Sequence, residues 1–279
     1  MTFVLSLLSA LLYGVADFSG GSAARRSRVF SVMLLTQSAG AIVALVASPL
    51  IGPNAPSLAD FAWGAAAGAL GFAGVAALYA GLAKYTAAIV SPLSALIGAI
   101  LPALFGAALG ERPSTLALAG IALCVPAIVL LAYEKGEAAD RAKLRASFLY
   151  GIVAGLGFGG FFVLVSRSSA GSGTWPLLAS RATTLVLVAG ILLFGKDRFS
   201  VARASAPLAL FAGAADMLAN VFFLLATRTG LLIVVTILTS LYPAPTVILA
   251  RVFQGQRISP ARAGGIAFAL AGVVLIGLR

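Results

Sequence analysis

Residues 110–123 read GERPSTLALAGIAL and residues 255–268 read GQRISPARAGGIAF. Laid over one another at an offset of 145, they pair Gly110 with Gly255, Arg112 with Arg257 and Ser114 with Ser259. The run Gly120, Ile121, Ala122 pairs likewise with Gly265, Ile266, Ala267. The same offset carries 80–131 onto 225–276 without a gap. Matches this dense exceed what a chain rich in Ala, Leu and Gly gives by composition, and they mark an internal repeat.

The sequence around these turns is overwhelmingly apolar. Of 279 residues, 61% are hydrophobic and 10% charged, and mean hydropathy is +1.08. A soluble domain carries about 25% charged residues, so this chain has too little polar surface to face water and reads as an all-α membrane protein. At about 20 apolar residues per spanning helix, charges, Pro and Gly divide it into ten candidate spans: 3–21, 29–51, 61–83, 87–109, 116–133, 148–166, 175–194, 207–226, 231–250 and 262–278. No run alternates as a barrel strand would. The N-terminus has no Lys or Arg ahead of its apolar stretch and carries Asp17 within it, which predicts a permanent first helix instead of a cleaved signal.

Each repeat unit holds five spans, and an odd number reverses the direction in which the second unit enters the membrane. The expected architecture is therefore ten transmembrane helices as two inverted five-helix repeats. The first repeat covers 1–135, a cytoplasmic linker loop 136–146 and the second repeat 147–279. With ten spans, the side bearing both termini holds Arg112, Arg167, Arg228 and Arg279. Fourteen Lys and Arg, among them Arg25, Arg26, Arg28, Arg141 and Arg145, fall on the other side. The positive-inside rule then puts the termini outside the cytoplasm, in a multi-pass protein of the cell (inner) membrane. The net charge of +11 is accounted for by loops meeting anionic headgroups, and calls for no nucleic acid.

Three charges fall at depth, where each costs about 2.5–3.5 kcal/mol on insertion scales and needs a partner, a wet cavity or a purpose. They are Asp17, Arg181 and Asp216, with Asn220 one turn after Asp216 and Gln37 on the second span. Asp17 and Asp216 are candidate proton-coupling groups. Arg181 is a candidate for a substrate carboxylate or for neutralising an aspartate. The alternative is a structural lock, with Asp216 paired to Arg181 and Asp17 bonded to Gln37 or to backbone. The remaining acids, Asp60 and Glu111 included, sit at span ends or in loops, where solvation is the expectation.

Pro92 and Pro102 fall in the fourth span, and Pro243 and Pro245 in the ninth, its counterpart. Proline removes an amide donor, and interrupted helices at corresponding places of inverted halves point to a binding site. Tyr79, Phe158, Tyr242 and Asn220, with Arg181, are the candidate substrate-binding residues. Gly64 and Gly68, then Gly151, Gly155 and Gly159, form small-xxx-small ladders for close helix packing.

With no His and a single Cys, Cys124, inside an apolar run, the chain offers no histidine catalysis, no His or Cys metal site and no internal disulfide. GLGFGG at 155–160 has no strand before it and no Lys-Ser/Thr after it, so it is no nucleotide loop. No cofactor is expected, and the constellation an intramembrane enzyme needs is lacking. The partners expected are a small-molecule substrate and the lipid bilayer. Ten spans let a monomer enclose a cavity, and a homodimer is compatible with that.

YGVADFSGG in the first span, LYAGLAKYTAAIVSPLSALIGAILPALFGAALGERPS over the third to fifth, and DMLANVFFLLATRTG with LTSLYPAPTVILAR over the eighth and ninth resemble the EamA-type branch of the drug/metabolite transporter superfamily. The resemblance covers essentially the whole chain. It implies a carrier of small organic solutes, often an exporter of amino acids or related metabolites, working by alternating access without ATP. It also implies a cavity lined by the first, third, fourth, sixth, eighth and ninth spans, which carry Asp17, Tyr79, Pro92, Phe158, Asp216 and Tyr242. The family's acid at the end of each half is Glu111 in the first and is replaced by Gln256 in the second, and better-known members keep their termini in the cytoplasm, opposite to the charge count. A passive channel or a structural membrane protein is the competing reading.

Overall fold

The computed structural model describes residues 1–51, 56–84, 87–132, 141–195, 199–255 and 257–278, and of residues 79, 82–84, 87–88, 91–92 and 132 the backbone alone. The helices are α1 (Thr2–Ala24), α2 (Val29–Ile51), α3 (Leu58–Lys84), α4 (Ala87–Ala108), α5 (Thr115–Ala132), α6 (Arg141–Ser166), α7 (Trp175–Phe194), α8 (Ser205–Thr227), α9 (Leu232–Thr239), α10 (Pro243–Gln254) and α11 (Pro260–Gly277). A 3-10 turn, Ala170–Ser172, precedes α7, and there is no strand among the described residues. Among the described residues eight stretches are long and apolar enough to cross a membrane, α9 and α10 counting together as Leu232–Gln254. Leu93–Ala108 and Thr115–Leu131 are shorter apolar helices. The protein is a multi-pass helical membrane protein.

The two turns of the internal repeat build the same junction. Gly110 after α4 and Gly255 after α10 take left-handed backbone, φ +85° and +65°, a conformation that ends a helix and suits glycine. Four residues on, a serine opens the next helix: Ser114 Oγ accepts from the Ala117 amide at 3.2 Å, and Ser259 Oγ from the Arg262 amide at 3.3 Å. Each cap satisfies an orphan amide of the first turn. Adding 145 to the bounds of α5 gives those of α11 to the residue, and α4 plus 145 falls on α9 and α10 together.

Packing follows the same exchange. α1 lies along α8 and α3 along α6; α2 packs on α8 and α3 on α7; α4 meets α6, as α9 and α10 meet α1. α2 touches α7, α4 touches α9 and α5 pairs with α11. Replacing every helix by its counterpart returns this set of pairs. Glycine permits the closest approaches: a Cβ at Gly68 would stand 2.4 Å from the Ser180 carbonyl on α7, and one at its counterpart Gly213 would stand 2.0 Å from the Thr36 carbonyl on α2. The ladder Gly151, Gly155, Gly159 on α6 receives Leu93, Ile97 and Leu101 of α4. Ile42, Val46 and Leu50 on α2 and Leu270 and Val274 on α11 are exposed, a bulky apolar surface that suits lipid and not water.

The proline expectations divide. The ninth span is two helices: α9 ends at Thr239 and α10 begins at Pro243 with Pro245 in its first turn. Neither proline can donate, and tighter bonds take over there, Tyr242 N to Thr239 O at 3.2 Å and Ala244 N to Leu241 O at 2.9 Å. The fourth span is not divided. α4 runs through Pro92 and Pro102 as one helix, because the loss of one amide is tolerated where a neighbouring helix covers the freed carbonyl. α6 also starts earlier than its apolar run, at Arg141, so residues 141–146 are helical.

Candidate functional site

A cavity of about 200 Å³ lies where α1, α2, α3, α4, α6, α7, α8 and the α9–α10 break converge. From the sequence candidates it is lined by Asp17, Phe158, Arg181, Asp216, Asn220 and Tyr242, and Ser240 lines it at the break itself. The side chains of Tyr79 and Pro92 lie outside the described residues. Pro102, Pro243 and Pro245 are not among the lining residues.

Helix periodicity sets the polar wall. Tyr13 and Asp17 are one turn apart on α1, Asp216 and Asn220 one turn apart on α8, and these helices pack together. Arg181 reaches in from α7. Its Nη2 donates to Asp216 Oδ2 in an ion pair, and its Nη1 donates to Gln37 Oε1 at 2.6 Å. The Arg181 side chain is 9% exposed against 33% for Asp216, so the guanidinium is covered and committed. Asn220 Nδ2 donates to the Asp216 carbonyl at 2.7 Å and faces Oδ2 at 3.4 Å. Of the two expectations for Arg181, the aspartate is its partner. Gln37, which the structural-lock alternative offered with backbone as a partner for Asp17, accepts from Arg181, whose guanidinium spans α7 to α2. Asp17 itself is exposed within the cavity and has neither ion pair nor hydrogen bond among the described residues.

The opposite wall is apolar: Phe72, Val75 and Leu78 on α3 with Phe158, Phe161 and Phe162 on α6. Tyr13 bridges the walls, its ring 6.1 Å from Phe162 and 6.2 Å from Tyr242. The charges do not follow the repeat: the counterparts of Asp17, Arg181 and Asp216 are Phe162, Thr36 and Gly71, which line the same cavity without charge.

The two ends of the cavity differ. Toward the termini it stops at Phe223, Leu232 and Val235, packed with Leu5, Phe105 and Phe162. In the other direction the lining continues to Gly20, Met33 and Leu78, near the turn that carries Arg25, Arg26 and Arg28. The closed end is also tied between the two halves of the chain by acids expected to be solvated. Glu111 Oε1 and Oε2 accept from the first amides of α9, Leu232 N at 2.8 Å and Ile233 N at 2.9 Å, where a carboxylate meets the positive end of the helix dipole. Asp60 is buried and accepts from Ser169 N at 2.7 Å and Ser169 Oγ at 2.9 Å. Thr2 and Thr229 hydroxyls meet at 2.9 Å. The only sequence signal for Glu111 was the family acid; its counterpart Gln256 lies outside the described residues.

Residues 145–278 match the EamA-like transporter family. The likeness to that family therefore lies in the second half of this chain. The EamA-like half holds α7 to α11 and almost all of α6, and it contributes Phe158, Arg181, Asp216, Asn220 and Tyr242 to the cavity. The fold as a whole is shared with a solved crystal structure of a protein, matched with a TM-score of 0.73 at 20% identity and covering 99% of this chain and 98% of that one. No curated protein matches the sequence. The EamA-like family is one of membrane transporters in the drug/metabolite transporter superfamily.

Proposed function

We propose that the protein is a secondary transporter of small organic metabolites, the class that includes amino acids, and that it works by alternating access as a non-enzymatic, cofactor-free carrier in the cell (inner) membrane. On this reading ten helices cross the bilayer as two inverted repeats, 1–135 and 147–279, joined through 136–146. Repeating helix bounds and an exchange-symmetric set of packing pairs support it. The carrying observation is the cavity: it lies between the halves, draws its lining from both, is sealed at one end, and holds an exposed carboxylate at depth. The unsealed direction is the Arg-rich one, cytoplasmic by the positive-inside rule, which is where an exporter loads.

Asp17 is the group proposed to exchange protons as the cavity changes sides. It is faced by Asp216 from α8, by Tyr242 from the α9–α10 break and by Tyr13 on its own helix, and Arg181 from α7 lines the same cavity. Asp216, held by Arg181, is proposed to sense that exchange through charge. A monomer encloses the site. Reconstituted protein given a panel of amino acids, amines and organic acids tests the reading. A carrier gives saturable uptake, faster when unlabelled solute is preloaded on the far side; linear flux indifferent to preloading would make it a channel. If transport is proton-coupled, Asp17→Asn removes the pH dependence of uptake, and an unchanged pH profile would sink that part.

A further inference from the structure

The cavity's polar groups are unbalanced in charge and in hydrogen bonding. Among its described lining residues the charged side chains are Asp17, Arg181 and Asp216. Arg181 and Asp216 neutralise one another, and the exposed Asp17 carboxylate is left over. Asn220 is 3% exposed and turns its amide nitrogen to two acceptors of Asp216. That fixes its Oδ1 on the other side, where it is buried with no partner, as is the Tyr13 hydroxyl. A buried acceptor left unpaired costs about 1–3 kcal/mol, so a ligand that supplies N–H groups there binds with that penalty removed.

We infer that the cavity takes a small organic ammonium ion carrying N–H donors and an aromatic or other apolar body, bound through Asp17, Asn220 Oδ1 and the Tyr13 hydroxyl. This rests on the transport reading and narrows its substrate class. Ionised Asp17 and Asn220 Oδ1 only accept, so in that state they attract an ammonium and repel a carboxylate. The cation that a zwitterion's carboxylate would need, Arg181, is already paired. Tyr242 and Phe158 line the same cavity and supply aromatic rings for the charge, and the phenylalanines of α6 suit the apolar body.

Equilibrium binding to the purified full chain tests this, with phenethylamine as the labelled probe and phenylalanine, phenylacetate and the N,N,N-trimethyl derivative of phenethylamine as competitors. These share one ring and differ in charge or in N–H donors. Phenethylamine is expected to saturate, and each competitor to displace it at least tenfold more weakly than unlabelled phenethylamine does. Asp17→Asn is expected to weaken it at least tenfold and Asp17→Glu to restore most of that. Equal displacement by phenylalanine or phenylacetate overturns the inference, as does retained affinity in Asp17→Asn with the wild-type unfolding midpoint. Displacement by the trimethyl derivative as strong as by phenethylamine itself overturns the donor part. Saturable, preload-stimulated flux of another solute with no amine binding overturns the inference and leaves the transport reading standing. No saturable flux of any compound from folded protein overturns both.

Discussion

Arg181 and Asp216 form the most tightly coupled pair in the cavity, and their removal one at a time should be costly. Arg181→Met leaves a half-buried carboxylate beside Gln37 and Asn220 with no cation, a change that costs about 3–5 kcal/mol when a buried pair is broken. The expected result is a large fall in the detergent unfolding midpoint, with most of it recovered in the double variant Arg181→Met with Asp216→Leu. If Arg181→Met unfolds like the wild type, the pair is not structural. The sequence shows which residues are unusual, because charge inside an apolar run is visible at once. It did not give their partners: Gln37 reaching Arg181 and Glu111 reaching α9 depend on helices far apart in the chain, and an acid at the end of a span looks the same whether it meets water or another helix.

Helices are where the reading of the sequence carried furthest, since apolar runs ended by Gly, Ser, Pro and charge translate directly into spans and caps. Its error at α4 is instructive. Prolines in corresponding spans suggested two broken helices, yet only α9 and α10 separate, where Pro243 and Pro245, two residues apart, both lack a donor within one turn. In α4 the two prolines are spread over ten positions. Pro243 occupies the first position of α10, where its missing donor is not needed. Pro243→Ala should therefore keep stability within about 1 kcal/mol while slowing turnover, because a continuous helix would no longer flex beside Ser240 and Tyr242. Unaltered flux would argue against the break as a hinge. Close packing makes the opposite demand at Gly213: Gly213→Ala, with its Cβ against the Thr36 carbonyl, should destabilise by about 1–3 kcal/mol. Gly190→Ala, with nothing within 4 Å, should be silent in the same thermal assay.

For the whole molecule, the proposed alternating access would rock the two halves about one cavity, and the ties at the terminus-bearing end are what such a movement must break. Glu111→Gln removes the charge that α9's first amides prefer and should favour opening at that end. The most direct measurement is side-specific labelling of Ser240→Cys, in a Cys124→Ser background, by a membrane-impermeant thiol reagent applied to either face of reconstituted vesicles. Alternating access requires labelling from both faces, faster from the terminus-bearing face in Glu111→Gln. When Thr2→Cys and Thr229→Cys are oxidised to a disulfide across the closed end, labelling from that face should disappear and labelling from the Arg-rich face should persist. Labelling from one face only in every variant, or from both faces with the disulfide in place, would contradict a cavity that opens to the two sides in turn.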